Sequence, residues 1–271
     1  MNRSLLRRFV DANKRASFRV DQWVAPRLRV DGNQDYLHQF VWEYLRPRQT
    51  VGDVGGGKQP FLTVERKAAL DCRVIGVDIS SDELAAAPAG AYDEVVVGDI
   101  TALTGRGDCD VVLCQAVLEH VADVPAAIRS VASMLRPGGV CLLFVPCRNA
   151  AFARLSLALP EWIRLRILFG VFPEVSLTQG FRSYYDRCTP SAISSLAHAS
   201  GLQVTETRRY YMSSYFSFLL PLHVLWRFWT LIVVATGAGD FCETFSMALQ
   251  KPGNGDHSAR QETARLRVRH G

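Results

Sequence analysis

TVGDVGGGKQPF, residues Thr50 to Phe61, is a short apolar run closed by an acidic residue and three consecutive glycines. A Lys-Gln-Pro follows, where a helix can begin. Glycine lacks a Cβ and reaches conformations closed to other residues, so such a turn lets the main chain approach a ligand at a helix N-terminus. Alone, the stretch is equally an ordinary strand-to-helix turn, and its neighbours have to decide.

Four more apolar runs follow, each closed by a polar or acidic residue or by Pro: CRVIGVD (72–78), DEVVVGD (93–99), CDVVLCQ (109–115) and VCLLFVP (140–146). Near-continuous Val/Ile/Leu runs of this length are the pattern of strands buried on both faces. Helical patterns lie between them. VPAAIRSVASMLRPGG (124–139) is the clearest, and should stop before Pro137 and turn at Gly138-Gly139. DGNQDYLHQFVWEYLRP (31–47) reads as a capped helix stopped before Pro47. Alternating strand and helix signals predict a doubly wound α/β fold with a mostly parallel sheet, in which ligands sit beyond the carboxyl ends of the strands.

The acidic residues fall at those ends. Asp53 and the glycines close the first strand, and Asp78 closes the second, 21 residues after Gly57. A carboxylate at that distance can accept the hydroxyl protons of a ribose; it can equally cap the helix of SSDEL. Asp99 closes the third strand, where it can accept from an exocyclic amine with Ile100 against the base. Glu119-His120 lies past the fourth. A nicotinamide-binding loop wants Gly-x-Gly-x-x-Gly, but the third position after Gly57 is Pro60, which has no N–H for a pyrophosphate. That argues against a dehydrogenase.

As an ordered set, VGDVGGGKQP, VIGVDIS, VVVGDI, CDVVLCQAVLEHV and SMLRPGGVCLLFVP, followed by YYDRCTPSAISSLAHASGLQV, resemble class I S-adenosylmethionine-dependent methyltransferases. The chain resembles in particular the methyltransferase-domain group that includes ubiquinone-type O-methyltransferases, over about residues 48–210. The resemblance implies a Rossmann-like seven-stranded sheet and S-adenosyl-L-methionine as cofactor. It implies that Asp53, Gly55 and Gly57 hold the methionine part, Asp78 and Ile79 the ribose side, Asp99 and Ile100 the adenine, and the Gln115 backbone the ammonium. Gln59 replaces the family's last glycine, a tolerable departure because that glycine mainly eases helix packing. Lys58 is unusual there, whether solvated or paired with the cofactor carboxylate. Gly52 replaces a bulky strand residue and is expected to weaken packing slightly.

If the acceptor is a hydroxyl, His120 is the best general base, because a neutral imidazole takes a proton near pH 7. Glu119 is placed to orient it, or the pair caps the next helix. Tyr184, Tyr185 and Asp186 are lesser pocket candidates. No Cys-x-x-Cys pair occurs among the seven cysteines, so no zinc site is expected and the chain reads as a reduced cytosolic protein.

Charge is uneven. Residues 1–29 hold eight Lys/Arg against two Asp, residues 251–271 five against two, and the middle is mildly acidic. The expected organisation is a basic arm over 1–30, a methyltransferase domain over 31–250 and a disordered basic tail over 251–271. The arm carries no secretory signal pattern; it can form a short amphipathic helix with Leu5, Leu6, Phe9 and Val10 on one side. Nucleic acid is a poor candidate partner, since no aromatic-basic stripe accompanies the basic ends.

Two apolar insertions (about 148–183 and 211–240) emerge at the cofactor end: FARLSLALPEWIRLRILFGVF (152–172) and FSFLLPLHVLWRFWTLIVVAT (216–236). The second is long enough for a bilayer but carries Pro221, His223 and Arg227. A crossing would also separate residues 202–210 from 241–250, which should share one sheet. A surface-lying lid is expected, with a buried cap or dimer interface as the plainer reading. Together these features point to a methyltransferase with a small-molecule or lipid-linked acceptor and peripheral contact with the inner membrane face. The alternative is a non-catalytic membrane-associated scaffold.

Overall fold

The computed structural model describes residues 3–158 and 183–253. Most of the first insertion and the tail beyond residue 253 lie outside the described residues. Seven strands form one sheet in the order β3-β2-β1-β4-β5-β7-β6. They are β1 (Thr50–Val54), β2 (Arg73–Asp78), β3 (Glu94–Val97), β4 (Cys109–Gln115), β5 (Leu135–Pro146), β6 (Gln203–Tyr210) and β7 (Thr244–Gln250). The pairs among β1 to β5 are parallel. β7 runs antiparallel between β5 and β6, so β6 ends on the same edge as β1 to β5.

Side-chain alternation builds a core on each face. Val112, Leu143 and Val54 pack with Ile128 and Val131 of α5 (Val124–Met134) and Ile193 of α7 (Pro190–Ala199). Val51, Leu113 and Leu142 face the other way, onto Tyr36 and Phe40. Those aromatics belong to a segment that is α-helical over Gly32–Asp35 (α2), π over Tyr36–Phe40 and 3-10 over Val41–Glu43. The Asp31 side chain caps it by accepting from the Gln34 N–H. All seven cysteines are buried.

Three local expectations differ from the structure. β3 is not buried on both faces: Val95 and Val97 are exposed, because it is the edge strand. α5 ends at Met134 rather than just before Pro137, and Leu135 is already extended and paired with Cys109. The glycine turn does not lead straight into a helix. Asp53 Oδ2 accepts from the Phe61 N–H at 2.8 Å, so the loop runs on to the Thr63 cap of α3 (Val64–Leu70). The space beside Gly52 is filled from elsewhere: a Cβ there would lie 3.0 Å from Met134 Cε.

The basic arm is, from Arg3 to Asp21, one helix (α1) fastened to α8 (Leu220–Thr236). Asp21 Oδ1 accepts from Arg227 Nε at 2.6 Å and lies 2.8 Å from His223 Nε2. Arg227 Nη1 donates to the carbonyls of Leu28 and Tyr211, and Nη2 to the Met212 sulfur. Asn13 Oδ1 caps the Leu220 N–H, and Ser17 donates to the Ser217 carbonyl. Along this helix Leu5 and Phe9 are exposed and Val10 is half-buried. Among the described residues no helix is long and apolar enough to cross a membrane.

Burial alone would raise the Asp21 carboxyl, but the bonds from His223 and Arg227 outweigh it and hold it below its ordinary 3.8. Its stabilisation is therefore complete above that value and is lost as acid titrates the carboxylate. Arg227→Met leaves a buried charge without its main partner. It is expected to lower stability in urea unfolding by about 3 kcal/mol at pH 7, with a smaller difference from the wild type below pH 4.

Candidate functional site

The strand ends β1 and β4 enclose a cavity of about 220 Å³ lined by Asp53, Gly55, Gly56, Phe61, Gln115 and Ala116. Asp53 is buried, and burial pushes its carboxyl up to about 6, with bonds from the Phe61 amide and Tyr92 opposing and the Asp78 charge adding. Gly55 (φ 74°) and Gly57 (φ 49°) are left-handed. A Cβ on Gly56 would fall 2.5 Å from Asp53 Oδ2, and one on Gly55 would overlap Val117. The turn is bare backbone because its neighbours leave no room for anything else.

β2 brings Asp78 beside the same turn: its Oδ2 lies 3.2 Å from where a Gly57 Cβ would be. Asp78 does not cap α4 (Ser81–Ala85); Ser80 does, accepting from the Glu83 N–H. Asp78 Oδ1 accepts from the Ser80 N–H. Ile79 next to it is exposed. Lys58 pairs with Glu83 at 3.1 Å. Farther along the edge, Asp99 Oδ1 accepts from the backbone and hydroxyl of Thr101, and Ile100 is buried in the core. Neither lines the cavity. The structure thus gathers Asp53, Gly55, Gln115 and, beside them, Gly57 and Asp78, with Asp99 and Ile100 one strand further out.

Several contributors carried no local signal. The Tyr92 hydroxyl donates to the Gly57 carbonyl at 2.9 Å, and its ring covers Gly76, where a Cβ would sit 2.8 Å from it. Asn33 Oδ1 accepts from Gln115 Nε2 at 2.8 Å. Ala116, left-handed at φ 52° without being glycine, donates its N–H to the Phe144 carbonyl. Strained backbone of this kind clusters at functional sites.

Beyond β4, Glu119 is buried and His120 partly exposed. The Glu119 carbonyl accepts from the N–H groups of Tyr184 and Tyr185, stitching the chain that returns from the first insertion onto this strand end. The expected Glu119-to-His120 hydrogen bond is not made: Oε1 lies 3.9 Å from Nε2, beyond bonding range. Burial pushes the Glu119 carboxyl up to about 8, so it is neutral at pH 7 and cannot serve as a counter-charge. Ser183 Oγ lies 3.5 Å from His120 Nδ1.

Residues 29–207 match the methyltransferase-domain family. The ubiquinone biosynthesis O-methyltransferase of Albidiferax ferrireducens is 30% identical over 183 residues, 61% of this chain and 68% of that one. The enzyme of the same name from Cupriavidus pinatubonensis is 28% identical over 58% of this chain. This chain spans less than two thirds of that relative's length, 61%. In fold, the chain is similar to an S-adenosylmethionine-dependent methyltransferase from Mesorhizobium loti, with a TM-score of 0.51 at 16% identity, covering 82% of this chain and 98% of that one.

The chain belongs to the class I S-adenosylmethionine-dependent methyltransferases. The cofactor fits what the methyltransferase presents: a Cβ-free backbone cradle beside a buried acid, with a strand-end carboxylate one strand away. Substituting the cradle tests this. Gly56→Ala is expected to weaken S-adenosylhomocysteine binding at least tenfold in calorimetry while the far-ultraviolet spectrum stays native.

Glu119 provides a second test. The native state keeps its proton up to about pH 8, whereas the unfolded chain releases it near 4.5. Its contribution is therefore complete below 4.5 and is lost as pH rises through 8. Glu119→Gln should raise the melting temperature relative to wild type by more at pH 8 than at pH 5.

Proposed function

We propose that this methyltransferase methylates an oxygen of a small apolar or lipid-linked acceptor at a membrane surface, with His120 as general base. The carrying observation is the position of His120, partly exposed on a strand end next to the one that closes the glycine cradle. The names of the relatives, O-methyltransferases of ubiquinone biosynthesis, support an oxygen acceptor.

S-adenosylmethionine, when bound, supplies an electrophilic methyl on a sulfonium. Asp53, Gly55, Gly57 and the Gln115 backbone would hold its methionine part, Asp78 and Ile79 its ribose, and Asp99 and Ile100 its adenine. The chain's own work is alignment and exclusion of water. His120 accepts the acceptor's hydroxyl proton as its oxygen takes the methyl. Glu119, neutral and out of bonding range, shapes the lip rather than polarising the imidazole.

The acceptor side is apolar. The Phe152 ring of α6 (Ala151–Ala158) stacks on Tyr215, ahead of α8, with centroids 3.5 Å apart and planes within 5°. Burial raises the Tyr215 phenol above its ordinary value. Arg164 and Arg166 of the first insertion lie outside the described residues.

Incubation with S-adenosylmethionine and a bacterial lipid extract should yield a species heavier by one CH₂. His120→Ala should lower kcat on the order of a hundredfold with S-adenosylhomocysteine affinity unchanged; unchanged kcat would rule out His120 as the base.

A further inference from the structure

Resting on the reading above, that the acceptor comes from a membrane, we infer that α1 and α8 together form a docking platform for an anionic lipid bilayer. The outer face of α8 exposes Val224, Leu225, Phe228, Trp229, Leu231 and Ile232. A surface helix ordinarily turns charged and polar residues to water. Here the polarity is inverted, since the one charged residue of α8, Arg227, is buried on Asp21.

α1 supplies the complementary half. Leu5 and Phe9 are exposed and Trp23, just beyond the helix, is 86% exposed. Arg8, Arg15 and Arg19 recur at helical spacing on its exposed side. Arg7 and Arg27 are exposed as well, against Asp11 as the single exposed acid in residues 5–30. Apolar residues flanked by arginines, with a tryptophan at the margin, are how interfacial helices lie in the headgroup layer. The bonds from Asn13, Ser17 and Asp21 hold the two helices as one unit.

Charge chooses among the occupants of this face. A second copy in a two-fold contact would bring the same arginines against themselves, whereas an anionic bilayer neutralises them and takes up the apolar side chains. The platform also adjoins the acceptor side, because the Tyr215 that stacks on Phe152 leads directly into α8. A membrane-borne acceptor would enter without leaving the lipid phase.

Flotation of the full chain with phosphatidylglycerol-containing vesicles and with pure phosphatidylcholine vesicles tests this. The wild type should float with the first and not the second, and added salt should release it. The triple substitution Arg8→Gln, Arg15→Gln, Arg19→Gln should lower the partition coefficient on the order of a hundredfold, and Phe228→Asp should also abolish flotation. All four positions are exposed, so S-adenosylhomocysteine calorimetry should match the wild type and report intact folding. A wild type that stays in the soluble fraction, or floats equally with both vesicles, overturns the proposal. So does a dimer in sedimentation that Phe228→Asp converts to monomer without any flotation. Flotation as expected, with no methyl transfer to a detergent-dispersed lipid extract, would instead defeat the functional reading and leave the platform standing.

Discussion

β7 runs antiparallel between two strands that are parallel to each other, and this one reversal arranges everything around the site. It pairs with β5 from Val140 to Pro146 and with β6 from Gln203 to Tyr210. β5 and β6 therefore deliver the chain to the same edge of the sheet as β1, β2 and β4, where Asp53, Asp78 and Gln115 stand. The segments that leave that end, α6 after β5 and α8 after β6, therefore start from the same end of the sheet as the glycine turn. The same ladder holds α8 to one side of any bilayer, because its two flanking strands are hydrogen-bonded to each other along their length.

Burial and pairing then decide which carboxyls carry charge. Asp53, Glu119 and Glu243 are raised, each first by burial. Asp21 is also buried but lowered, since the hydrogen bonds from His223 and Arg227 and the Arg227 charge outweigh its burial. The contrast separates two roles. Asp21 is a structural ion that fixes α1 to α8, while Glu119 is a neutral acid buried past the end of β4, where an ionised one would face desolvation without a partner.

Much of the sheet was legible because a buried strand advertises itself locally: each apolar run became a strand within a residue or two, apart from β5, which starts five residues early at Leu135. Element ends were less legible. The stop of α5 at Met134 depends on pairing between Leu135 and Cys109, and the late start of α3 depends on Asp53 reaching across to Phe61. Exposure of Val95 and Val97 follows from β3 being last in the sheet, which a run of valines cannot announce. Tyr92, Asn33 and Ala116 went unmarked because their roles are contacts with residues distant in the chain.

The residues alone determined the parallel architecture and the strand-end positions of Asp53, Gly55, Gly57, Asp78 and Gln115, since strand periodicity and a glycine turn are local properties of the backbone; the cofactor class came from the resemblance of the ordered set to a known family. Tertiary structure alone decided that the helix of the basic arm is bolted to the second insertion, that Arg227 points inward and leaves an uncharged outer face, and that Glu119 stands neutral beside His120 without bonding it. Each of those outcomes depends on the dielectric and the partners that distant segments bring together, and neither can be read from a stretch of chain taken alone.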